Sequence, residues 1–385
     1  MASPNLAAPS VATFPRLTTQ AALPPACRRL DPNRSTDELR PLEEILERRV
    51  KGQNPALAAL LSALARPLSG LKDPHRPHLS ALLLGPTGIG KTETAKAVAE
   101  GLLGNEAHLV RVNCESFAHS HEVAKLLGSP PGYVGQNVEP LLSQGRLDAG
   151  HLSLLDNGDV PPLVERMSGG KDDRVSVILF DEIEKADPVL WTTLLGVLED
   201  GILTLGDNTT SSFQSSVIFV TSNVGGREMA HLLEKPPLGF APADGEAELD
   251  LAGAAVQAAQ DTFPLELINR FDEVIVYSAL DRTDLETILD KFLAELHDRA
   301  VKQADVPLLL RLSAESREHI LATGTDPRFG ARPLRRAVER LLVDPLSRLI
   351  ASRQLAAGDV VEIELEEGAL AFYRQGDATV HHVVA

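Results

Sequence analysis

The segment Gly85-Pro86-Thr87-Gly88-Ile89-Gly90-Lys91-Thr92 spells a complete G-x-x-x-x-G-K-[ST]. Glycines at this spacing let the backbone curl so that successive N–H groups point at phosphate oxygens, and the lysine supplies a mobile positive charge. Lys91 is expected to reach the outer phosphates of a bound nucleotide and Thr92 to hold Mg²⁺. A second pair of chemical groups stands far downstream, where the apolar run Val175-Ser176-Val177-Ile178-Leu179-Phe180 ends in Asp181-Glu182. Two acids at the end of a buried strand can divide the work of phosphoryl transfer. Asp181 is expected to hold the metal through its water shell, and Glu182 to orient and polarise a water that attacks the γ-phosphate.

These groups need a scaffold that brings distant segments together. Short apolar runs at 81–84, 109–112, 175–180, 217–220 and 274–277 alternate with helical patterns, which predicts an α/β fold with a parallel sheet covered on both faces. The first run leads directly into the glycine loop, and Ala95, Val98, Ala99, Leu102 and Leu103 mark one face of the helix that follows. That helix aims its N-terminus at the phosphate. Beyond Tyr277 the texture changes to a helix over 281–300, a strand-like 306–312, a basic helix after Arg332 and a strand at 360–365, which predicts a second, smaller α/β domain. The boundaries expected are a Pro/Ala-rich disordered tail at 1–35, a large domain at 36–278 and a small domain at 279–385. No internal repeat is present.

The chain has 385 residues, 43% hydrophobic and 24% charged, which excludes wholesale disorder and fibrous repeats. With 37 Lys and Arg against 54 Asp and Glu, the net charge of -17 repels nucleic-acid backbones over most of the surface. No apolar run is long enough for a membrane span, and the two cysteines, Cys27 and Cys114, do not suggest a disulfide framework. A soluble, cytoplasmic protein is expected. Residues 1–30 contain no acid and are rich in Ala, Ser, Thr and Pro, as in organelle transit peptides, but Pro4, Pro9, Pro15, Pro24 and Pro25 break the amphipathic helix that targeting needs. His75, His78, His119 and His121 lack the additional ligands of a zinc site, so metal chemistry beyond Mg²⁺ is not expected. Cys114 reads as a small buried filler.

Together these motifs resemble the Clp-type AAA+ ATPases, ring-forming protein unfoldases and disaggregases, over roughly residues 38–370 and specifically their C-terminal ATPase module. The carry-over rests on several segments in order. Arg49-Val50-Lys51-Gly52-Gln53 is similar to the stretch that lies against adenine, implying contacts from Val50 and Lys51. Gly132-Tyr133-Val134-Gly135 resembles a pore loop that grips polypeptide, implying Tyr133 and Val134. Thr221-Ser222-Asn223 resembles the polar sensor, implying that Asn223 contacts the γ-phosphate or the water. Leu267-Ile268-Asn269-Arg270-Phe271-Asp272 resembles the arginine-finger stretch, implying that Arg270 acts on a neighbour's nucleotide. Phe329-Gly330-Ala331-Arg332-Pro333-Leu334 resembles the second sensor, implying Arg332. Leu238-Gly239-Phe240, framed by prolines, is similar to the tripeptide with which protease-linked members dock on the ClpP peptidase.

The resemblance implies ATP and Mg²⁺ as cofactors, a homo-hexameric ring, polypeptide clients and a possible ClpP-like peptidase partner, with proteolysis borrowed from that partner. A nucleic-acid motor or loader is an alternative that the net charge and the aromatic Tyr133 disfavour. A nucleotide-switched scaffold is another, separable by turnover. Two departures stand out. Only a short tail precedes a single module, and residues 136–180 are far longer than the family's connection. That extra stretch, including Gln144 to Gly170, is expected to be a surface excursion.

Overall fold

The computed structural model describes residues 36–128, 138–158, 160–168, 174–226, 228–229, 244–302, 306–326 and 329–375. The expected tail at 1–35, Tyr133 and Val134, and Leu238, Gly239 and Phe240 lie outside these residues. The described residues belong to one compact unit.

Five strands form the central sheet: β1 (Leu79–Leu84), β2 (Val110–Asn113), β3 (Ser176–Asp181), β6 (Ser216–Ser222) and β7 (Glu273–Val276), in the order β2-β3-β6-β1-β7. All pairs are parallel, with Leu82 opposite Val220 and Val274, and Ile178 opposite Ile218 and Val110. Every residue of β1, β3 and β6 is buried, as a sheet covered on both faces requires. Alternation then divides the side chains between two cores. Ala81, Leu83, Val177, Leu179, Val217 and Phe219 face one, and Leu82, Leu84, Ile178, Phe180, Ile218 and Val220 face the other. A short antiparallel hairpin, β4 (Ile202–Thr204) and β5 (Thr210–Ser212), stands apart from this sheet. Its two three-residue strands, with Thr204, Thr210 and Ser212 exposed beside Ile202, left no strand signal in the sequence.

The first core is roofed by α1 (Arg40–Arg49), α2 (Asn54–Leu68) and α3 (Lys91–Leu103). Helices α4 (Ser120–Leu127) and α7 (Pro188–Asp200) lie on the second. Between them in sequence come α5 (Gln144–Asn157) and α6 (Pro162–Met167), which overturn the expectation of a surface excursion. Leu154, Leu163, Val164 and Met167 are buried in the first core and Leu147 in the second. α5 packs on α3 and β3, and α6 on α2. The Gly- and Asp-rich texture of this stretch hid a sparse apolar stripe that suffices for burial. Ser143 caps α5 by accepting the Arg146 N–H, and Gly158 ends it at φ 74°.

The chain continues through α8 (Asp244–Thr262) and α9 (Leu265–Ile268) to β7, then into α10 (Arg282–Lys302), β8 (Leu309–Leu312), α11 (Ala314–Gly324) and α12 (Arg332–Val338). A π-helical stretch, Glu339–Val343, joins α12 to α13 (Asp344–Ala351), and β9 (Val360–Glu366) and β10 (Ala369–Arg374) complete a three-stranded sheet in the order β10-β9-β8. Leu289, Ile320, Leu334, Leu342, Val361 and Ile363 build a third core of their own. The fold is thus α/β throughout, a parallel-sheet part followed by a smaller α/β part.

Candidate functional site

The glycine loop leaves β1 at its C-terminal end, where open α/β sheets bind ligands. Gly90 at φ 113° is the N-cap of α3, and Gly85 at φ 137° passes so close to the end of β7 that an added Cβ would lie 2.6 Å from the Tyr277 carbonyl oxygen. Both conformations are open to glycine alone among common residues. Tyr277, fully buried, donates its hydroxyl to Thr94 Oγ1 at 2.8 Å and so ties the loop helix to β7. Gln53 does the same for the segment after α1. Its side chain donates to the Ser278 carbonyl at 2.9 Å and accepts the Ser278 N–H at 3.0 Å.

Lys91 is buried, with its ammonium donating to the Gly85 and Pro86 carbonyls at 2.6 Å each and to Asn223 Oδ1 at 3.0 Å. Burial pulls its pKa down to about 8 against the opposing pull of Glu184 and Asp181. Thr92 Oγ1 donates to Asp181 Oδ1 at 3.0 Å, although the two residues are far apart in sequence. Asp181 Oδ1 also accepts from Thr221 Oγ1 at 2.7 Å, and its Oδ2 accepts from Arg111 at 2.6 Å.

Glu182 turns out of the strand at φ 60°. Its carboxylate accepts from Asn223 Nδ2 at 3.2 Å and pairs with Lys185 at 2.6 Å. Burial works to raise its pKa, but the Lys185 and Asn223 hydrogen bonds outweigh it and hold the group below the usual carboxylate range. Asn223 is itself fixed by Glu184, whose Oε1 accepts both its backbone N–H and its Nδ2 at 3.1 Å.

One cleft is lined by Gly88, Ile89, Gly90, Lys91 and Thr92 of the loop, by Asp181, Glu182 and Asn223, and by Arg332. Val50 and Lys51 line it too. Arg332 reaches to 4.0 Å from Glu182 Oε1, and Ala331 donates its N–H to the Gly88 carbonyl at 2.9 Å, so the α12 segment closes directly on the glycine loop. Arg270 is not in this group. It sits beyond α9, paired with Glu199 at 2.6 Å.

Sequence reasoning missed several lining residues. Ile288, Lys291 and Phe292 of α10 and Arg335 of α12 also line the cleft. The Arg335 guanidinium lies 4.7 Å over the Phe292 ring, and Lys291 donates to the Arg49 carbonyl at 2.7 Å. In the sequence Phe292 is one more apolar position of an amphipathic helix, and nothing local separates it from core. Arg49 and Glu93 also line the cleft, and burial that would lower the Arg49 pKa is outweighed by its hydrogen bonds to Glu106, Glu100 and Glu93, which raise it.

The arrangement can hold a polyphosphate on the loop, a hard cation on Thr92 and Asp181, and a water beside Glu182. A model described as AAA domain (Cdc48 subfamily) matches residues 76–148 and 151–274. The chain belongs to the AAA family. Within that family it is of the Clp type, since a model described as the C-terminal, D2-small domain of ClpB protein matches residues 280–363. The chain is 37% identical over 333 residues to the chaperone protein ClpB 2 of Thermosynechococcus vestitus, covering 86% of this chain and 33% of that protein. It is 35% identical over 356 residues to a chloroplastic ClpA homologue of Brassica napus, an ATP-binding subunit of the ATP-dependent Clp protease, covering 90% and 37%. To the ClpC ATP-binding subunit of Staphylococcus epidermidis it is 36% identical over 330 residues, covering 86% and 37%. The chain thus spans about a third of the length of these relatives.

Proposed function

We propose that this module hydrolyses ATP to remodel proteins, assembling as a homo-hexameric ring that threads polypeptide through a central pore. The observation that carries the hydrolytic part is the convergence of Lys91, Thr92, Asp181, Glu182, Asn223 and Arg332 on one cleft. In this reading the loop N–H groups of residues 85–90 cradle the phosphates, and Lys91 exchanges its carbonyl partners for phosphate oxygens. Thr92 Oγ1 and the Asp181 carboxylate are hard oxygen donors already in contact, a donor set that fits Mg²⁺. When bound, that ion neutralises charge on the phosphates. Glu182 and Asn223 hold the attacking water, Arg332 contacts the nucleotide from the α12 side, and Val50 and Lys51 flank the base. Arg270, outside its own cleft, supplies its guanidinium to a neighbour's.

The relatives' names support remodelling of proteins, being chaperones and ATP-binding subunits of a protease. Tyr133 and Val134 are proposed to grip the client, and Leu238, Gly239 and Phe240 to dock on a ClpP-like peptidase. We assign residues 36–278 to the large domain, 279–385 to the small one and 1–35 to a tail, in a cytoplasmic protein. Among the described residues no helix is long and apolar enough to cross a membrane.

The experiment is the ATPase rate with and without an unfolded polypeptide or single-stranded DNA. Stimulation by the polypeptide alone is expected. Stimulation by DNA alone would make the chain a nucleic-acid motor, and ATP binding without turnover would make it a switched scaffold.

A further inference from the structure

On the reading of the nucleotide site proposed above, two adjacent acids have different tasks and must hold their carboxylates in fixed and different directions. Asp181 is the last residue of β3, and Glu182 has left the strand for the left-handed region at φ 60° and ψ 56°. That conformation is unfavourable for a residue with a Cβ and persists only where its surroundings hold it.

One buried hydroxyl meets both acids. Thr221 lies on β6, the neighbour of β3, one position past the Phe180–Val220 pair. It is 1% exposed. Its Oγ1 accepts the backbone N–H of Glu182 at 2.9 Å and donates to Asp181 Oδ1 at 2.7 Å. The Glu182 N–H can only donate and an ionised Asp181 can only accept, so the direction of the hydroxyl hydrogen is settled by its partners. A hydroxyl serves both at once, and valine, of nearly the same shape, serves neither.

We infer that Thr221 is a positioning residue of the ATPase site, fixing through one hydroxyl the rotation of the Asp181 carboxylate and the backbone turn that presents Glu182. It acts through these two acids. Loss of the hydroxyl leaves Asp181 Oδ1 with Thr92 alone and Glu182 N–H without its acceptor. The cation-binding carboxylate and the water-orienting one both lose register, while the glycine loop and Lys91, which Thr221 does not touch through a hydrogen bond, keep their hold on phosphate.

The test compares Thr221→Val, Thr221→Ala and Thr221→Ser in the full chain, reading kcat, the Mg²⁺ concentration for half-maximal rate, and the affinity for a fluorescent ATP analogue with Mg²⁺ and in EDTA. Thermal unfolding of each variant shows which are folded. Val and Ala are expected to lower kcat by about 10–100-fold and to raise the Mg²⁺ requirement, with affinity in EDTA unchanged, and Ser is expected to restore most of both. If Val does not fold, Ala against Ser carries the comparison. Wild-type kcat and Mg²⁺ requirement in Val or Ala would overturn the inference, as would a Ser variant no better than Ala. An equal loss of affinity in EDTA would also overturn it, since that is general damage. A wild-type chain that binds ATP without hydrolysing it would instead sink the hydrolytic reading, and the Mg²⁺-dependent affinities of Val and Ser would still decide the role of Thr221.

Discussion

Lys91 carries its charge in a place that tolerates it poorly. Buried among loop carbonyls, it releases its proton near pH 8, well below the ordinary lysine value of 10.5. Between those values an unfolded chain binds more protons than the folded one. The penalty is therefore full below about pH 8 and fades as the pH rises toward 10.5, so this group makes the chain relatively more stable at high pH. Bound phosphate favours the charged form. ATP binding at about pH 9 should therefore take up a proton, visible as a binding heat that depends on the buffer's ionisation enthalpy. A buffer-independent heat would show that Lys91 stays charged in the free protein. Glu182 offers a second test at this scale. Glu182→Gln keeps the shape and the Asn223 contact but removes the charge, so ATP should still bind while turnover falls by roughly 10²–10⁴-fold. Turnover at the wild-type rate would reassign the water to another group.

At the scale of elements, the informative pair is α5 and α6. Polar and glycine-rich stretches read as excursions, yet the cost of ordering these helices is met by a few side chains, with Val164 fully buried and Leu163 nearly so. Leu163→Ala should cost about 2–5 kcal/mol, measurable by denaturant unfolding, whereas a side chain on a surface loop would cost within about 0.5 kcal/mol. The contact between the α12 segment and the glycine loop is the other element-scale feature. Gly330, at φ 54°, comes so near that a Cβ there would lie 2.7 Å from the Gly88 carbonyl oxygen. Through it, Arg332 and Arg335 reach a cleft whose loop belongs to a different part of the chain.

At the scale of the whole molecule the question is what one chain lacks. Its own cleft gathers acids, the Asn223 amide and Arg332, but Arg270 points elsewhere, into Glu199. Catalysis shared across an interface follows from that geometry on the reading proposed here. Arg270→Ala and Glu182→Gln chains should each be inactive alone yet regain part of the rate when mixed, because some interfaces then combine an intact finger with an intact acid. Absence of rescue in assemblies that demonstrably exchange subunits would place Arg270 in a purely structural ion pair. The net charge of -17 bears on the same scale, opposing nucleic acid as a client.

Local chemistry was open to reading without coordinates. The glycine loop, the apolar strand ending in Asp181 and Glu182, and the alternation that yields a parallel sheet each depend on contiguous residues, and contiguous patterns carry their own signal. The sequence alone also ordered Asn223 and Arg332 along the chain. Only the tertiary structure brought Phe292 and Arg335 to the cleft, because an apolar residue of an amphipathic helix looks the same whether it meets a core or a ligand. Only the sheet register set Thr221 beside two acids some forty residues earlier, since strand neighbours are chosen by burial on both faces and not by distance in sequence. The packing of α5 and α6 was likewise decided in three dimensions, where a sparse apolar stripe on each helix meets the uncovered flank of α3 and α2.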